Sequence, residues 1–257
     1  MNIYNFITLN KQKGKKLFAV LIDPDKQSIN KLVILIEKAI AANVDLIFVG
    51  GSLLTNGNFA TCISTIKSNC SIPVVIFPGN SMQVNNDADG ILFLSLISGR
   101  NPEMLIGNQV ISAPLLKHSN LEILPTGYML IDSGKPTTVS YMSNTTPIPN
   151  DKNDVAMCTA MAGEMLGLKL IFMDGGSGAI NPISESMINM VSQAIDAPLI
   201  VGGGICSGEK AMANCKAGAD IIVVGNSIEK NPNLLEEIAK YIHKYNNLKN
   251  NEMLSRN

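Results

Sequence analysis

Leu199-Ile200-Val201-Gly202-Gly203-Gly204 is a short run of aliphatic residues that opens directly into three glycines. A continuously apolar run of this length suits a strand buried on both faces, as in a parallel sheet. The glycines suit a tight turn into a helix, whose first N–H groups have no acceptor within the helix. The same pattern stands on either side. Upstream, Leu170-Ile171-Phe172-Met173 runs into Asp174-Gly175-Gly176-Ser177-Gly178; downstream, Ile221-Ile222-Val223-Val224 runs into Gly225-Asn226. Unpaired N–H donors and the helix dipole both favour an anion, and phosphate is the natural one. Three such turns in succession predict a parallel β/α array that holds a phosphorylated small molecule at one end.

Working outward, five further apolar runs lie upstream: Leu17–Ile22, Leu46–Val49, Val74–Phe77, Ile91–Leu94 and Ile123–Leu130. The segments between runs read mostly as helices. Ser28–Ala42 and Asp154–Leu166 are two of them; a third starts behind Ser207 as N-cap and ends at Gly218. Asn231–Asn246 closes the series, with Pro232 in its first turn. Pro78–Asp89 is short, polar and rich in turn residues, so the helix between the third and fourth strands is expected to be shortened or absent. Eight strands in 257 residues, with no linker-like shift in composition, give an α/β class and a single (β/α)8 barrel domain over residues 1–257. A doubly wound open sheet is the alternative, but its dinucleotide fingerprint is missing near the first strand.

Hydrophobic residues make up 46% of the chain, ample for a large core. Twenty basic and 21 acidic residues leave a net charge of −1, so no broad nucleic-acid surface is expected. An anionic ligand must then be held by local donors or a metal. The five cysteines form no C-x-x-C pair and read as buried free thiols rather than a disulfide framework or zinc site. No signal-like stretch and no run of 18 apolar residues occurs, which points to a cytoplasmic protein with no transmembrane segment.

In a barrel the working face lies beyond the C-terminal ends of the strands. Asp23 is the first residue past the first run, and Ser52 follows Gly50-Gly51 after the second. One carboxylate and one hydroxyl, completed by water and phosphate oxygens, would hold magnesium on a diphosphate. Asp23 also reads as the start of an Asp-Pro turn. Asp174 stands beside the expected phosphate cradle, an awkward place for a carboxylate. Either it accepts a proton from a substrate hydroxyl, or it caps the turn. Gly203, Gly204, Gly225 and Asn226 follow strands seven and eight, the usual seat of a barrel phosphate site. Arg100 reads as a diphosphate contact or a surface charge, and Tyr128 as core or groove lining. Lys26 and Lys135 are expected near the mouth, and His118 and His243 at solvated helix ends.

These segments together resemble the geranylgeranylglyceryl phosphate synthase family, from about Phe18 to about Pro232. The motifs are Leu21-Ile22-Asp23-Pro24-Asp25-Lys26, Val49-Gly50-Gly51-Ser52, Phe93-Leu94-Ser95-Leu96, Gly127-Tyr128, Gly176-Ser177-Gly178-Ala179, Val201-Gly202-Gly203-Gly204-Ile205 and Gly218-Ala219-Asp220. The resemblance implies a modified (β/α)8 barrel without a regular third helix. It implies a prenyltransferase that joins sn-glycerol 1-phosphate to a long prenyl diphosphate, geranylgeranyl diphosphate foremost, through an ether bond with Mg2+. Carried over by motif, Asp23 and Ser52 would hold the metal. Phe172, Met173, Asp174, Gly175, Gly176, Ser177 and Gly178, with Gly203, Gly204, Gly225 and Asn226, would bind glycerol phosphate, and Asp174 would be the base. The family usually reads Tyr-Leu-Glu-Ala where this chain has Phe172-Met173-Asp174-Gly175; the change removes a phenol and retracts the carboxylate by one methylene. The family also implies self-association and, for a lipid product, transient contact with a membrane surface. Two other classes compete: an FMN- or sugar-phosphate-binding barrel enzyme, and a barrel that binds phosphate as a scaffold without catalysis.

Overall fold

The computed structural model describes residues 2–254. Eight strands form a closed barrel: β1 (Leu17–Ile22), β2 (Leu46–Val49), β3 (Val74–Ile76), β4 (Gly90–Leu96), β5 (Glu122–Leu130), β6 (Leu170–Asp174), β7 (Leu199–Gly202) and β8 (Ile221–Val224). Each pairs in parallel with its neighbours in sequence order, and β8 returns to β1 with Leu17 opposite Ile221. The open sheet is thereby excluded. All eight strands fall where the apolar runs lie; β4, β5, β6 and β7 extend further than those runs, and β3 stops one residue earlier.

The strands are apolar throughout because both faces are covered. Leu17, Ala19, Leu46, Phe48, Val75, Leu92, Leu124, Phe172 and Ile200 fill the barrel interior. Their neighbours Phe18, Val20, Ile47, Val49, Met173 and Val201 pack outward against helices. Apart from Ala19, each such side chain, fully buried, stabilises the fold by about 1.5–3 kcal/mol. Helix α1 (Ile3–Gln12) places Ile3 and Ile7 into the inner cluster and so plugs the end of the barrel where the strands begin. Glu122 fixes it there, accepting from the Ile3 and Tyr4 amides. Gly218-Ala219-Asp220 lies at that same lower end. Asp220 is buried, pairs with Lys11 and Lys16 at 2.9 Å each, and accepts from the Leu199 amide, which is structural work.

The outer layer comprises α2 (Ile29–Ala41), α3 (Phe59–Asn69), α4 (Asn108–Lys117, entered through a π-helical turn at Glu103–Gly107), α5 (Thr138–Ser143), α6 (Asn153–Met165), α7 (Glu185–Ala194) and α8 (Gly208–Ala217). Ser207 caps α8 by accepting from the Lys210 amide, and Gly218 ends it at φ +117°. The expected closing helix is two helices, α9 (Asn226–Lys230) and α10 (Leu234–Leu254). Pro232 therefore sits in the turn between them, not in a first helical turn; Asn231 has already left helical geometry. His118 is exposed at the end of α4, whereas His243 lies half-buried inside α10. Of the cysteines, Cys62 and Cys215 are buried and Cys70 half-buried, but Cys158 and Cys206 are exposed; all are free thiols. Between β3 and β4 there is no helix. Asn80 and Asn85 instead close local turns, accepting from the Met82 and Asp87 amides. No helix among the described residues is long and apolar enough to cross a membrane.

Candidate functional site

A cavity of about 580 Å³ opens at the C-terminal ends of the strands. Asp23 and Ser52 line it on the side of β1 and β2. Phe172, Asp174, Gly176, Ser177, Gly178, Gly203, Gly204, Gly225 and Asn226 line it beyond β6, β7 and β8. Met173 and Gly175 do not. Met173 is fully buried against the helices, because alternate residues of a strand face opposite ways, and the Gly175 amide is spent on Gly202 of β7.

The glycine turns form a cradle of free donors. Among the described residues, the amides of Ser177, Gly178, Gly203, Gly204, Gly225 and Asn226 have no acceptor. Gly203 is obligatory there. Its φ is +86°, and an added methyl would lie 2.6 Å from the Gly175 nitrogen. Lys135 brings positive charge to the rim: a methyl on Gly178 would be 3.7 Å from both Lys135 Nζ and Asn226 Nδ2.

Asp174 ends β6 beneath this cradle, only 9% exposed. Its Oδ2 accepts from the Tyr128 hydroxyl at 2.6 Å, and its Oδ1 from the Gly176 amide at 2.7 Å. The carboxylate therefore braces the turn and also lines the cavity. Burial pushes the Asp174 pKa above the ordinary aspartate range, and the two hydrogen bonds pull against it. The Tyr128 phenol is pushed well above its usual value by burial and by the neighbouring carboxylate, so it stays a donor. Tyr128, Phe77 and Phe172 pack as an aromatic cluster with centroids 5.2–5.8 Å apart.

On the opposite side, Asp23 Oδ1 accepts from the Asp25 amide at 3.1 Å and Oδ2 lies 2.9 Å from Lys26 Nζ. The same carboxylate leans on the second turn, since a methyl on Gly51 would stand 3.3 Å from Oδ1. Glu229, from α9, accepts from the Asp23 amide at 3.2 Å. Burial raises the Glu229 pKa, and the Lys26 ammonium opposes the rise. Burial depresses Lys26, but Asp23 and Glu229 outweigh it and leave the ammonium above its usual value. Among the described residues, no three acidic, thiol or imidazole groups are placed to hold a metal ion by themselves. Hard oxygen donors, few in number and open to substrate oxygens, are what magnesium takes, so the donor set fits that ion.

The cavity continues from the mouth over β4. Both Leu92 and Leu94, which face inward, and Ile91 and Phe93, which face outward, line it, together with Met104, Leu116, Val139 and Met142. The wall is open here because no helix covers the β3–β4 crossing. The result is an apolar groove leading away from the polar mouth. Arg100 is not part of it. Its guanidinium donates to the Gly99 carbonyl at 2.9 Å in a separate polar depression beside Asn144–Thr146, so the surface reading holds.

A family profile described as the PcrB family matches residues 9–244. The chain belongs to the PcrB family. It is 60% identical to a geranylgeranylglyceryl phosphate synthase of Chitinophaga pinensis, over 94% of this chain and 96% of that one. A synthase of the same name from Methanothermobacter marburgensis is 38% identical, over 89% and 92% respectively. The fold matches the crystal structure of (S)-3-O-geranylgeranylglyceryl phosphate synthase from Thermoplasma acidophilum with its substrate sn-glycerol-1-phosphate, with a TM-score of 0.90, 33% identity, and coverage of 95% of this chain and 99% of that one. Like these named relatives, the chain is an enzyme, a prenyltransferase of the geranylgeranylglyceryl phosphate synthase type.

Two links at this PcrB-family mouth escape a reading by motif: Glu229 to Asp23, and Tyr128, itself in the Gly127-Tyr128 motif, to Asp174. Glu229 reaches the Asp23 amide from 206 positions away, and only the three-residue step from Asn226 along α9 hints that both share a face. Tyr128 carries no outward mark of its partner. Its link to Asp174 follows from the β5–β6 register, in which Tyr128 stands opposite Phe172 and Leu130 opposite Asp174.

Proposed function

We propose that the chain forms an ether bond between the C3 hydroxyl of sn-glycerol 1-phosphate and a long-chain prenyl diphosphate, geranylgeranyl diphosphate foremost, with Mg2+. The observation that carries this reading is one cavity with two anion sites of different chemistry and an apolar groove between strand and helix. The free amides of the glycine turns, with Lys135 at their rim, suit the phosphate of glycerol phosphate. Asp23 and Ser52 suit a cation on the diphosphate, and magnesium bound there would neutralise leaving-group charge.

Each step falls to a residue in place. The cradle fixes the phosphate and thereby aims the glycerol hydroxyls, which is catalysis by positioning. Asp174, raised by burial, accepts the proton of the C3 hydroxyl. The new C–O bond forms at the allylic carbon as its bond to diphosphate breaks, and diphosphate leaves. The groove along Leu92, Phe93 and Leu116 holds the prenyl tail and keeps water from the developing cation. Incubation with sn-glycerol 1-phosphate and a panel of prenyl diphosphates, with and without Mg2+, tests the reading by product mass. A prenylglyceryl phosphate that forms only with the metal supports it, and no adduct with any donor contradicts it.

A further inference from the structure

Lys26 touches both halves of the mouth. Its ammonium lies 2.9 Å from Asp23 Oδ2 on the diphosphate side and donates over 2.9 Å to Asn226 Oδ1 on the glycerol phosphate side. Asn226 carries the line onward, its Nδ2 donating to Ser177 Oγ at 2.7 Å in the strand-six turn. Glu229 Oε2 stands 3.7 Å from the same ammonium. Asp23, Lys26, Asn226 and Ser177 thus form a continuous polar chain from the end of β1, past β8, to the turn after β6.

Bound substrates would change the charges around this chain. Asp23 and Glu229 share the corner with side chains 18% and 9% exposed, and the one Lys26 charge offsets part of theirs. With both substrates, a phosphate of about −2 at neutral pH and a more highly charged diphosphate occupy one cavity. Their repulsion, strengthened where water is excluded, opposes the ternary complex unless a cation lies between them. The Lys26 side chain is 45% exposed, on a flexible four-carbon stem with three rotatable donors. It can leave Asp23 without disturbing the core.

We propose that Lys26 is a counter-ion shared by the two anion sites. It partly offsets Asp23 and Glu229 and, once substrates bind, turns to lie between the two anions, so that each strengthens the binding of the other. This rests on the substrate reading given above. Because coupling between ligands is reciprocal, either one reports it.

The test is calorimetric titration of the full chain with sn-glycerol 1-phosphate, alone and with saturating inorganic diphosphate and magnesium. Wild type should bind glycerol phosphate at least about fivefold more tightly when magnesium diphosphate is present. In Lys26→Met that ratio should fall to about one or below, while each ligand alone still binds. Lys26→Gln keeps hydrogen-bonding capacity without charge and should lose the coupling too, whereas a merely structural contact would survive in it. An equal ratio in wild type and both variants, or no coupling in wild type, overturns the inference alone. Failure of wild type to bind glycerol phosphate at all overturns the substrate reading, and the inference falls with it.

Discussion

Tyr128 Oη and Asp174 Oδ2 are 2.6 Å apart, joining neighbouring strands at the floor of the mouth. The pair is buried, and Oδ1 of the same carboxylate accepts from the Gly176 amide, so both oxygens are oriented before any substrate arrives. That matters because the acid at the end of β6 is an aspartate, one methylene shorter than a glutamate. A carboxylate drawn back by one methylene has less freedom to find its target, and fixed hydrogen bonds set where it points.

Tyr128→Phe should therefore slow the reaction and move its pH profile. Burial already raises Asp174, and the phenol is the larger of the two hydrogen bonds that oppose the rise. Without it the pKa climbs further, the ionised base is scarcer, and the acid limb of kcat/KM shifts to higher pH. A loss of roughly tenfold in kcat/KM at neutral pH corresponds to about 1.4 kcal/mol, the scale of one buried hydrogen bond. A pH–rate comparison with wild type decides it; superimposable profiles would remove Tyr128 from the mechanism.

Asp174→Asn separates chemistry from architecture. The rate should fall about 100-fold or more while glycerol phosphate still binds. Stability supplies a second readout. The folded pKa lies above the unfolded one, so the wild-type contribution is fully present below the unfolded aspartate range and is lost as pH rises through the folded value. The amide has no such dependence. Its melting temperature relative to wild type should rise as pH goes from acid to neutral, and a constant difference across that range would mean that Asp174 is not raised.

Asp23→Ala should abolish turnover and leave the fold intact. The carboxylate is half-buried at the barrel rim, not in the core, so melting should change little. Manganese binding, followed by electron paramagnetic resonance with diphosphate present, should disappear together with activity. Normal turnover in this variant would remove Asp23 from the metal site.

Lys135→Met probes the phosphate cradle from outside. The ammonium approaches Gly178 from a loop that is itself pinned to the strand-six turn, Ser133 accepting from the Asn181 amide at 3.0 Å. Steady-state kinetics should show the KM for glycerol phosphate raised about tenfold, in line with loss of one charge-assisted contact. The KM for the prenyl diphosphate should stay as it was. A change confined to the prenyl substrate would place Lys135 at the wrong site.

The barrel was legible because burial on two faces writes itself as unbroken apolar runs, and glycine turns mark where such strands end. Helix α4 left no comparable signal. It exposes Val110, Ile111 and Leu115 on one side while Gln109 and Ser112 are buried on the other, which reverses the usual pattern. In the site, Asp23, Ser52 and the glycine turns could be placed by their position after strands. Glu229 and the Tyr128–Asp174 bond could not, since each depends on which elements become neighbours: α9 folding over β1, and the register between β5 and β6. Met173 shows the converse. A motif carries it beside Asp174, but strand alternation turns it to the helices.

The account stands on simultaneous occupancy of one mouth by two anions held in different ways. A crystal of this chain grown with sn-glycerol 1-phosphate, magnesium and a non-reactive thiodiphosphate analogue of the prenyl donor tests that directly. The phosphate should lie on the amides of Ser177, Gly203, Gly204 and Asn226, with the diphosphate and metal at Asp23 and Ser52 and the tail along β4. Density for either anion outside this cavity, or for both at a single site, would contradict it.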